Sequence, residues 1–547
     1  MAQNAQNANP AWDTAQQAPD PRRWLTLAAV NFGLFMALLD VTVVNVALPN
    51  IASTFGTSFA DLQWVIATYT LTYAALILTA SKLGDLFGRK RLFLAGLAVF
   101  TLASLACGLS QDVTQLQLAR AVQGVGAAML TPIAGAIIAA TFRGRELGTA
   151  FGIYGGVSGI ALACGPIIGG LLVKYVNWQA VFFLNVPIGI IGIVVVFTVV
   201  RESYAAGRGR QIDVPGVILS IASLFALTLG LIKGAEWDWT DARTLGVFAV
   251  AALGFVAFLA VEAATTRAGR DPMVDLSLFR NASFNVTAFV TLVVSLIYAG
   301  LLLILALLFQ NVLGYDALGT GLRYIPFVIG SIVIGPLVGA FSDRIDPRIR
   351  FGGSLLIFGL GLLLMARLGA SDDWTTLLPG LIVAGIGGAA MQTQMSAAAV
   401  DSAPRHRSGM ATGISGTMRQ VGSSIGVALL GAIFSSRYGH ALLDTLAGAG
   451  VPGPLATALT DGTAGNASFA GRVPPQVPSQ FAAAVQGATH AAFVRGFDDM
   501  ILAIVALAAL AIVGSILFLR ANQMGGEQGT PQPAATPPTI ASTTTAD

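Results

Sequence analysis

Long apolar stretches recur along almost the whole chain, and short polar connections separate them. A helix needs about 20 apolar residues to cross the hydrocarbon layer of a membrane. The pattern therefore predicts about fourteen transmembrane helices. Six begin near Trp24, Leu62, Leu92, Gln115, Leu147 and Gln179, two occupy about 212–232 and 244–264, and six occupy about 284–308, 320–341, 351–368, 375–400, 410–434 and 493–519.

The composition supports a membrane protein of the all-α class. Of the 547 residues, 55% are apolar and only 10% are charged, whereas about a quarter of the residues in soluble domains are charged. No long polar interval separates the apolar stretches between residues 24 and 434, so we expect one membrane domain. The two cysteines, Cys107 and Cys164, lie inside apolar stretches and offer neither a disulfide framework nor a metal site.

Basic residues are concentrated in every second connection. The net charge is only +3, which gives no reason to expect a nucleic-acid partner. Because cytoplasmic loops carry an excess of Lys and Arg, the alternation predicts that both termini are cytoplasmic, which requires an even number of helices. The basic connections contain Arg22 and Arg23; Lys82, Arg89, Lys90 and Arg91; Arg143 and Arg145; Arg201, Arg208 and Arg210; Arg267, Arg270 and Arg280; Arg344, Arg348 and Arg350; Arg405 and Arg407; and Arg520.

The segments outside the helices differ in composition. Residues 1–23 are polar and residues 521–547 are rich in Pro and Thr, so we expect both to be disordered in the cytoplasm. Residues 435–492 are rich in Gly, Ala and Pro, and we expect them to form an extracytoplasmic loop before the last helix.

One sequence motif occurs twice. The connection after the second helix reads SKLGDLFGRKR at 81–91, and a weaker copy at 339–348 contains Asp343 and Arg344. Such repeats are typical of secondary transporters, in which the substrate site lies between the two halves. The resulting divisions are 24–200 for a first six-helix half, 201–283 for an inserted helix pair with cytoplasmic flanks, 284–434 for the first five helices of a second half, and 493–520 for its last helix.

Two charged residues lie inside apolar helices. Asp40 and Arg120 each lie at a depth of roughly 10 Å from the outer end of their helices, counted at 1.5 Å per residue. A charge in an apolar helix is costly unless it is paired or protonated, so it marks a functional site by default. We expect Asp40 to pair with Arg120 and to load and release a proton. The alternatives are a structural ion pair, or an Arg120 that only binds backbone carbonyl groups.

Several motifs, in order, resemble the major facilitator superfamily, and specifically its fourteen-helix EmrB/QacA-type drug:proton antiporters. The stretch around Asp40 resembles the motif D1 of that family, whose acid is implicated in proton coupling, and the stretch around Arg120 resembles its motif B. Gly165, Pro166, Gly169 and Gly170 resemble motif C, the antiporter signature. Gly84, Asp85, Gly88 and Arg89 match motif A, with Ser81 where Gly is usual. The match covers about residues 23–520.

The resemblance implies a function for each motif. Motif A implies a latch between the two halves on the cytoplasmic side, so Asp85 and Arg89, with Asp343 and Arg344 in the weaker copy, are expected to regulate conformational switching. Motif C implies exchange with protons rather than symport. The family implies a multi-pass protein of the inner or plasma membrane that exports small amphipathic molecules by alternating access.

The resemblance also bears on partners and cargo. The resemblance implies protons, small molecules and the lipid bilayer as partners, and it leaves open whether a periplasmic adaptor protein is needed. A dedicated exporter of one metabolite or antibiotic, or a proton-coupled solute symporter, are the alternatives. Helical spacing puts Met36, Ala37 and Val44 on the Asp40 face as candidate cavity-lining residues, with ordinary helix packing as the other interpretation. Arg419, near the middle of its helix, is either a cavity residue or a structural one.

Other classes of function find no support. The chain has no G-x-x-x-x-G-K-[ST] phosphate loop, so ATP is not expected to be the direct energy source. The three histidines, His406, His440 and His490, lie outside the predicted helices and far apart in sequence. We therefore expect neither an enzyme nor a cofactor or metal site.

Overall fold

The computed structural model describes residues 20–57, 59–204, 213–340, 345–366, 369, 373–403, 407–464 and 477–518. In this part of the chain we number sixteen α-helices: α1 (Arg23–Phe55), α2 (Phe59–Phe87), α3 (Arg89–Leu109), α4 (Val113–Thr141), α5 (Arg145–Tyr175), α6 (Ala180–Phe183), α7 (Asn185–Val199), α8 (Val214–Trp237), α9 (Ala242–Arg267), α10 (Ala282–Leu307), α11 (Ala317–Ala340), α12 (Pro347–Met365), α13 (Leu378–Asp401), α14 (Ser408–Gly448), α15 (Gly453–Ala464) and α16 (Ser479–Phe518). Short 3₁₀ turns at Leu276–Arg280 and Trp374–Leu377 precede α10 and α13, and a π-helical turn at Leu308–Val312 follows α10.

Five of the helices begin where a polar side chain can satisfy the first backbone N–H groups. An acid or an asparagine just before the helix accepts a hydrogen bond from the first turn, which contributes about 1 kcal/mol to helix stability. The residues that do so are Asp112 for α4, Asp213 for α8, Asp241 for α9, Asn281 for α10 and Asp346 for α12.

Fourteen helical segments of the described chain are long and apolar enough to cross a membrane, which confirms the predicted number. The helices α6 and α7 form one crossing, Ala180–Val199. The 12-residue helix α15 adds none. Helices can span a membrane because all their backbone hydrogen bonds are made within one segment.

The structure differs from the expectation of a long loop at 435–492. Helix α14 continues to Gly448, and α16 begins at Ser479. The reason is that Tyr438, Leu442 and Leu446 recur at every fourth position and are buried in one apolar cluster with residues of α16. This packing outweighs the helix-weakening glycines. Residues 465–476, and the two ends of the chain at 1–19 and 519–547, lie outside the described residues.

The helices form two bundles and an inserted pair. Helices α1–α7 enclose apolar clusters that include Phe93 and Phe100, whereas α10–α16 enclose a separate cluster that includes Phe358 and Phe434. Helices α8 and α9 pack against each other, and α8 also contacts α2 and α14, one from each bundle. The inserted pair therefore lies alongside the junction of the two halves.

Small residues allow the closest helix contacts. Helices α5 and α11 join the two halves where Gly152 meets Gly335. Within the second half, Gly422 and Gly426 bring α14 against the backbone of α10, where any Cβ atom would overlap a carbonyl group. These glycines are contact points inside helices and not helix breaks.

We predict that Gly426→Val destabilises the protein, because the new side chain would collide with the carbonyl group of Leu296, which cannot rotate away. Overpacking of this kind costs about 1–3 kcal/mol, so the melting temperature of the purified protein in detergent should fall by several degrees. Gly431→Val is the matched control, because nothing lies within 4 Å of a Cβ atom added there on the same helix. Equal melting temperatures for the two variants would contradict this packing.

Candidate functional site

Asp40 on α1 and Arg120 on α4 form an ion pair inside the first half. Their residues are 0% and 1% exposed. Arg120 Nη1 donates to Asp40 Oδ2, and Arg120 Nε donates to the carbonyl oxygen of Val65 at 3.2 Å. The guanidinium carbon also lies 4.2 Å from the centre of the Tyr69 ring. The two roles considered for Arg120, pairing with Asp40 and binding a carbonyl group, therefore occur together.

Two amide side chains complete the surroundings of the carboxylate. Gln123 Nε2 donates to Asp40 Oδ1 at 2.8 Å, and Asn185 Nδ2 on α7 donates to the same oxygen at 3.2 Å. Gln123 also accepts from Arg120 Nη1 at 2.7 Å. Sequence reasoning gave no role to either amide. The available signals were the position of Gln123 one turn after Arg120 and the isolated polarity of Asn185 at the start of an apolar helix.

The face of α1 that carries Asp40 is directed into the first half. Met36, Ala37 and Val44 share this face and are buried in apolar clusters of that half. The cavity between the halves is lined instead by Leu34 and Leu38. Met36, Ala37 and Val44 therefore do not line this cavity, contrary to the expectation from the sequence. Leu38 and Leu34 precede Asp40 by two and six residues, so they point about 200° and about 240° away from it around the helix.

The glycine and proline motif of α5 contacts helices on both sides. A Cβ atom on Gly165 would overlap Thr42 on α1, and one on Gly169 would lie 3.0 Å from Val43 Cγ2 on the same helix. Gly170 and Pro166 face α11, where they approach Leu318 and Gly321. The motif therefore packs α5 between the helix that carries Asp40 and a helix of the second half.

The connection between α2 and α3 joins the two halves. Arg89 Nε donates to Asp85 Oδ1 at 2.9 Å, and Arg89 Nη2 donates to Ser408 Oγ at 3.3 Å. The Asp85 carboxylate lies against Gly409 in the first turn of α14, where helix N–H groups carry a partial positive charge. Ser81 Oγ donates to the carbonyl oxygen of Gly409 at 2.6 Å.

Two glycines and the acid Glu202 stabilise the conformation of the connection between α2 and α3. Gly84 approaches Ile133 of α4, and Gly88 has a φ of 110°, which favours glycine. The Glu202 carboxylate, after α7, accepts from the backbone N–H groups of Lys90 and Arg91 at 2.9 and 3.2 Å. It therefore caps α3, a role that its sequence position after α7 did not indicate. Asp343 and Arg344 lie outside the described residues, and their switching role stays a prediction.

A second connection, residues 268–281 between α9 and α10, also contacts both halves. Lys82 Nζ of α2 donates to Asp271 Oδ2 at 2.7 Å, and Arg407, just before α14, lies 2.6 Å from Asp275 Oδ2. Met273 and Val274 are buried with Met410 of α14. This connection therefore lies across the junction of α2 and α14, beside the contacts of Asp85 and Arg89.

A cavity of about 60 Å³ lies between the two halves. Helices α1, α2, α4 and α5 line it on one side, and α13 and α14 line it on the other. Arg419 is the only charged residue among those that line it. The sequence left open whether Arg419 is a cavity residue, and the structure places it there.

An all-helical protein with fourteen membrane-crossing segments in two bundles, and a cavity between the bundles, has the architecture of a membrane transporter. The chain belongs to the Major Facilitator Superfamily, whose family model matches residues 30–427 and 287–525. This confirms the family indicated by the motifs and places the chain among transporters rather than enzymes.

Similar proteins are known in several bacteria. The chain is 33% identical over 524 residues to the tetracenomycin C resistance and export protein of Streptomyces glaucescens, covering 95% of both chains. It is 36% identical over 432 residues to the multidrug resistance protein Stp of Mycobacterium tuberculosis, covering 79% of both. The crystal structure of the human organic anion transporter MFSD10 superposes with a TM-score of 0.56 at 13% identity, covering 89% of this chain and 100% of that one. At this identity the likeness shows the fold alone.

We predict that Arg120→Met lowers stability strongly, because it leaves the Asp40 carboxylate buried without a counter-charge. Breaking a buried pair from one side costs about 3–5 kcal/mol, whereas replacing both partners by neutral groups costs much less. The melting temperature of the double variant Asp40→Asn and Arg120→Met should therefore exceed that of Arg120→Met alone. A double variant that melts below the single one would show that Asp40 carries no unpaired charge.

Proposed function

We propose that the protein is a proton-driven exporter of small amphipathic molecules that works by alternating access in the cell membrane. The observation that carries this proposal is the fully buried Asp40, paired with Arg120 in a helix that packs on α5. An intramembrane acid in such a position is a candidate proton site. The functions for which the relatives are named, resistance and export, support the direction of transport.

Proton binding at Asp40 would remove the negative charge of this site. A neutral carboxyl group no longer attracts the Arg120 guanidinium, which then keeps Gln123 and the carbonyl oxygen of Val65 as partners. The change acts on α1 and α4, and the contact of Thr42 with Gly165 carries a displacement of α1 to α5. Since α5 also packs on α11, the proton site is mechanically linked to the second half.

The contacts between the halves support an arrangement that is closed on the side of the α2–α3 connection. Asp85 and Arg89 hold α14 there, and the connection between α9 and α10 lies beside them. Opening this side requires these contacts to break, which fits a role of Asp85 and Arg89 in switching. The basic residues of the same connections support a cytoplasmic position for this side and for both termini.

A dedicated exporter of one compound is the second candidate. Some of the relatives are named for multidrug resistance, whereas others are named for a single antibiotic, such as the puromycin resistance protein of Streptomyces alboniger, 35% identical over 444 residues. Proteoliposomes with an imposed pH gradient separate the two candidates when they are screened with cationic dyes, neutral antibiotics and anionic uncouplers. Exchange of several unrelated cargoes for protons would favour the multidrug function, and proton movement without any of these cargoes would favour a dedicated one.

We predict that Asp40→Asn abolishes proton-coupled export, because an amide keeps the shape of the carboxyl group but cannot exchange a proton. The variant leaves Arg120 buried without a counter-charge, so its melting temperature should fall, and transport is compared at equal amounts of folded protein. Proton movement into proteoliposomes after addition of cargo is the measurement. Asp444→Asn, which changes an exposed acid near the end of α14, is the control and should transport like the wild type. Coupled transport by Asp40→Asn would remove this residue from the mechanism.

We predict that Asp85→Asn increases the fraction of molecules that are open on the side of the α2–α3 connection. The substitution weakens the pair with Arg89 and removes the charge that faces the first turn of α14. A loss of about 1 kcal/mol shifts the equilibrium about five-fold. In a background without Cys107 and Cys164, the labelling of Thr412→Cys in the cavity by a membrane-impermeant maleimide should rise by that factor in inside-out vesicles. Asp112→Asn, at the start of α4 on the opposite side, should leave labelling unchanged. Equal labelling with and without Asp85→Asn would refute the latch.

A further inference from the structure

Arg419 brings a positive charge into the cavity between the halves. None of the residues that line this cavity is acidic. Within the described part of the chain, Arg419 belongs to none of the ion pairs, and its Nε atom is buried without a hydrogen-bond partner. Asp40 cannot neutralise it, because Arg120, Gln123 and Asn185 occupy that carboxylate.

Hydroxyl groups surround this charge. Ser415 precedes Arg419 by one helical turn, so both lie on the same face of α14, and the Ser415 Oγ atom has no partner among the described residues. Tyr154 interacts with Arg419 and donates to the carbonyl oxygen of Thr131 at 3.3 Å. The Tyr73 hydroxyl lies 3.0 Å from Thr131 Oγ1. The tyrosine hydroxyl groups are thus engaged with Thr131, and in the part of the chain that the structure describes the Ser415 hydroxyl and the Arg419 Nε–H are the donors that remain without a partner.

The other walls of the cavity are apolar. Leu34 and Leu38 of α1 lie on one side, Pro132 and Phe151 belong to α4 and α5, and Ala399 belongs to α13. A ligand that fits both kinds of wall has an apolar body and one group that accepts hydrogen bonds.

We propose that this cavity binds organic anions, that is, molecules with an aromatic or other apolar body and one carboxylate, sulfonate or phenolate group held by Arg419 and Ser415. In the closed arrangement its volume is only about 60 Å³, so the apolar body is admitted when the two halves separate and the cavity widens. Leaving a charged group in an apolar interior without a counter-charge is costly, and an anion removes that cost whereas a cation adds repulsion. The inference rests on the proposed function, because it takes the cavity between the halves as the cargo site.

The sign of the cargo determines the charge moved per cycle. Exchange of one inward proton for one outward anion carries two positive charges inward, whereas exchange for a cation carries none. Export of anions is therefore driven by an inside-negative membrane potential as well as by the pH gradient, and the exchange generates a current.

Three probes with the same ring test the charge preference of the full-length protein in proteoliposomes: naphthalene-1-sulfonate, the neutral naphthalene-1-sulfonamide and the cationic 1-naphthyltrimethylammonium. Binding and proton-linked currents are measured on solid-supported membranes. We expect the sulfonate to bind most tightly and to produce a current. Arg419→Gln should weaken sulfonate binding about ten-fold or more, as for the loss of one charged hydrogen bond, and Arg419→Lys should retain most of it.

A chloride replacement distinguishes a site for organic anions from a site for inorganic anions. Replacement of chloride by gluconate should leave sulfonate binding unchanged, and a site that responds to chloride alone would overturn the proposal. Preference for the trimethylammonium probe, or no binding of the sulfonate at millimolar concentration, would overturn it as well. Melting curves of both Arg419 variants show that each is folded.

The two proposals fail in different ways. Asp40→Asn should bind the sulfonate like the wild type while it loses the current. Sulfonate binding without proton exchange in the wild type would contradict the proposed function and leave the anion site intact. Exchange of the cationic probe for protons, followed with a pH-sensitive dye inside the vesicles because a one-to-one exchange carries no current, would support the proposed function and refute the anion site.

Discussion

The Asp40 carboxylate can lie in the apolar interior only because neighbouring groups satisfy both of its oxygen atoms. Those groups come from two other helices: Arg120 and Gln123 from α4, and Asn185 from α7. The requirement to satisfy one buried charge thus fixes three helices of the first half relative to one another. Any change in the charge of Asp40 therefore alters contacts of all three helices, α1, α4 and α7.

The second constraint is close contact between backbones. Gly165 and Gly169 let α5 approach the helix of Asp40, while Gly152 lets it approach α11 of the other half. Because neither contact leaves room for a side chain, α5 cannot adapt by rearranging rotamers and must move as a body. In the proposed cycle, a local change beside Asp40 would therefore be transmitted as a displacement of α5 relative to the second half.

The sequence predicted the helices well, because apolar length alone identifies a membrane-crossing helix. It also predicted the pair of Asp40 with Arg120, since matching depth limits the possible partners. Asn185 and Glu202 were missed because their partners come from helices that only the tertiary packing brings near. Met36, Ala37 and Val44 were correctly assigned to one face of α1. The sequence could not reveal that this face meets α4 rather than the cavity, nor that the glycines of α14 are contact points within a long helix.

The inserted helices α8 and α9 limit access from the lipid bilayer to the junction of the two halves. Helix α8 contacts both α2 and α14, and Lys233 of α8 lies 4.8 Å from the ring of Trp64 on α2. The pair thus covers one lateral seam between the halves, while α5 and α11 meet directly at the other. The outer face of α9, which includes the exposed Leu253 and Val256, forms the new boundary with the acyl chains. A molecule dissolved in the bilayer consequently meets α8 and α9 at one seam and the direct contact of α5 with α11 at the other. At the covered seam it has no direct lateral path from the lipid to the cavity between the halves.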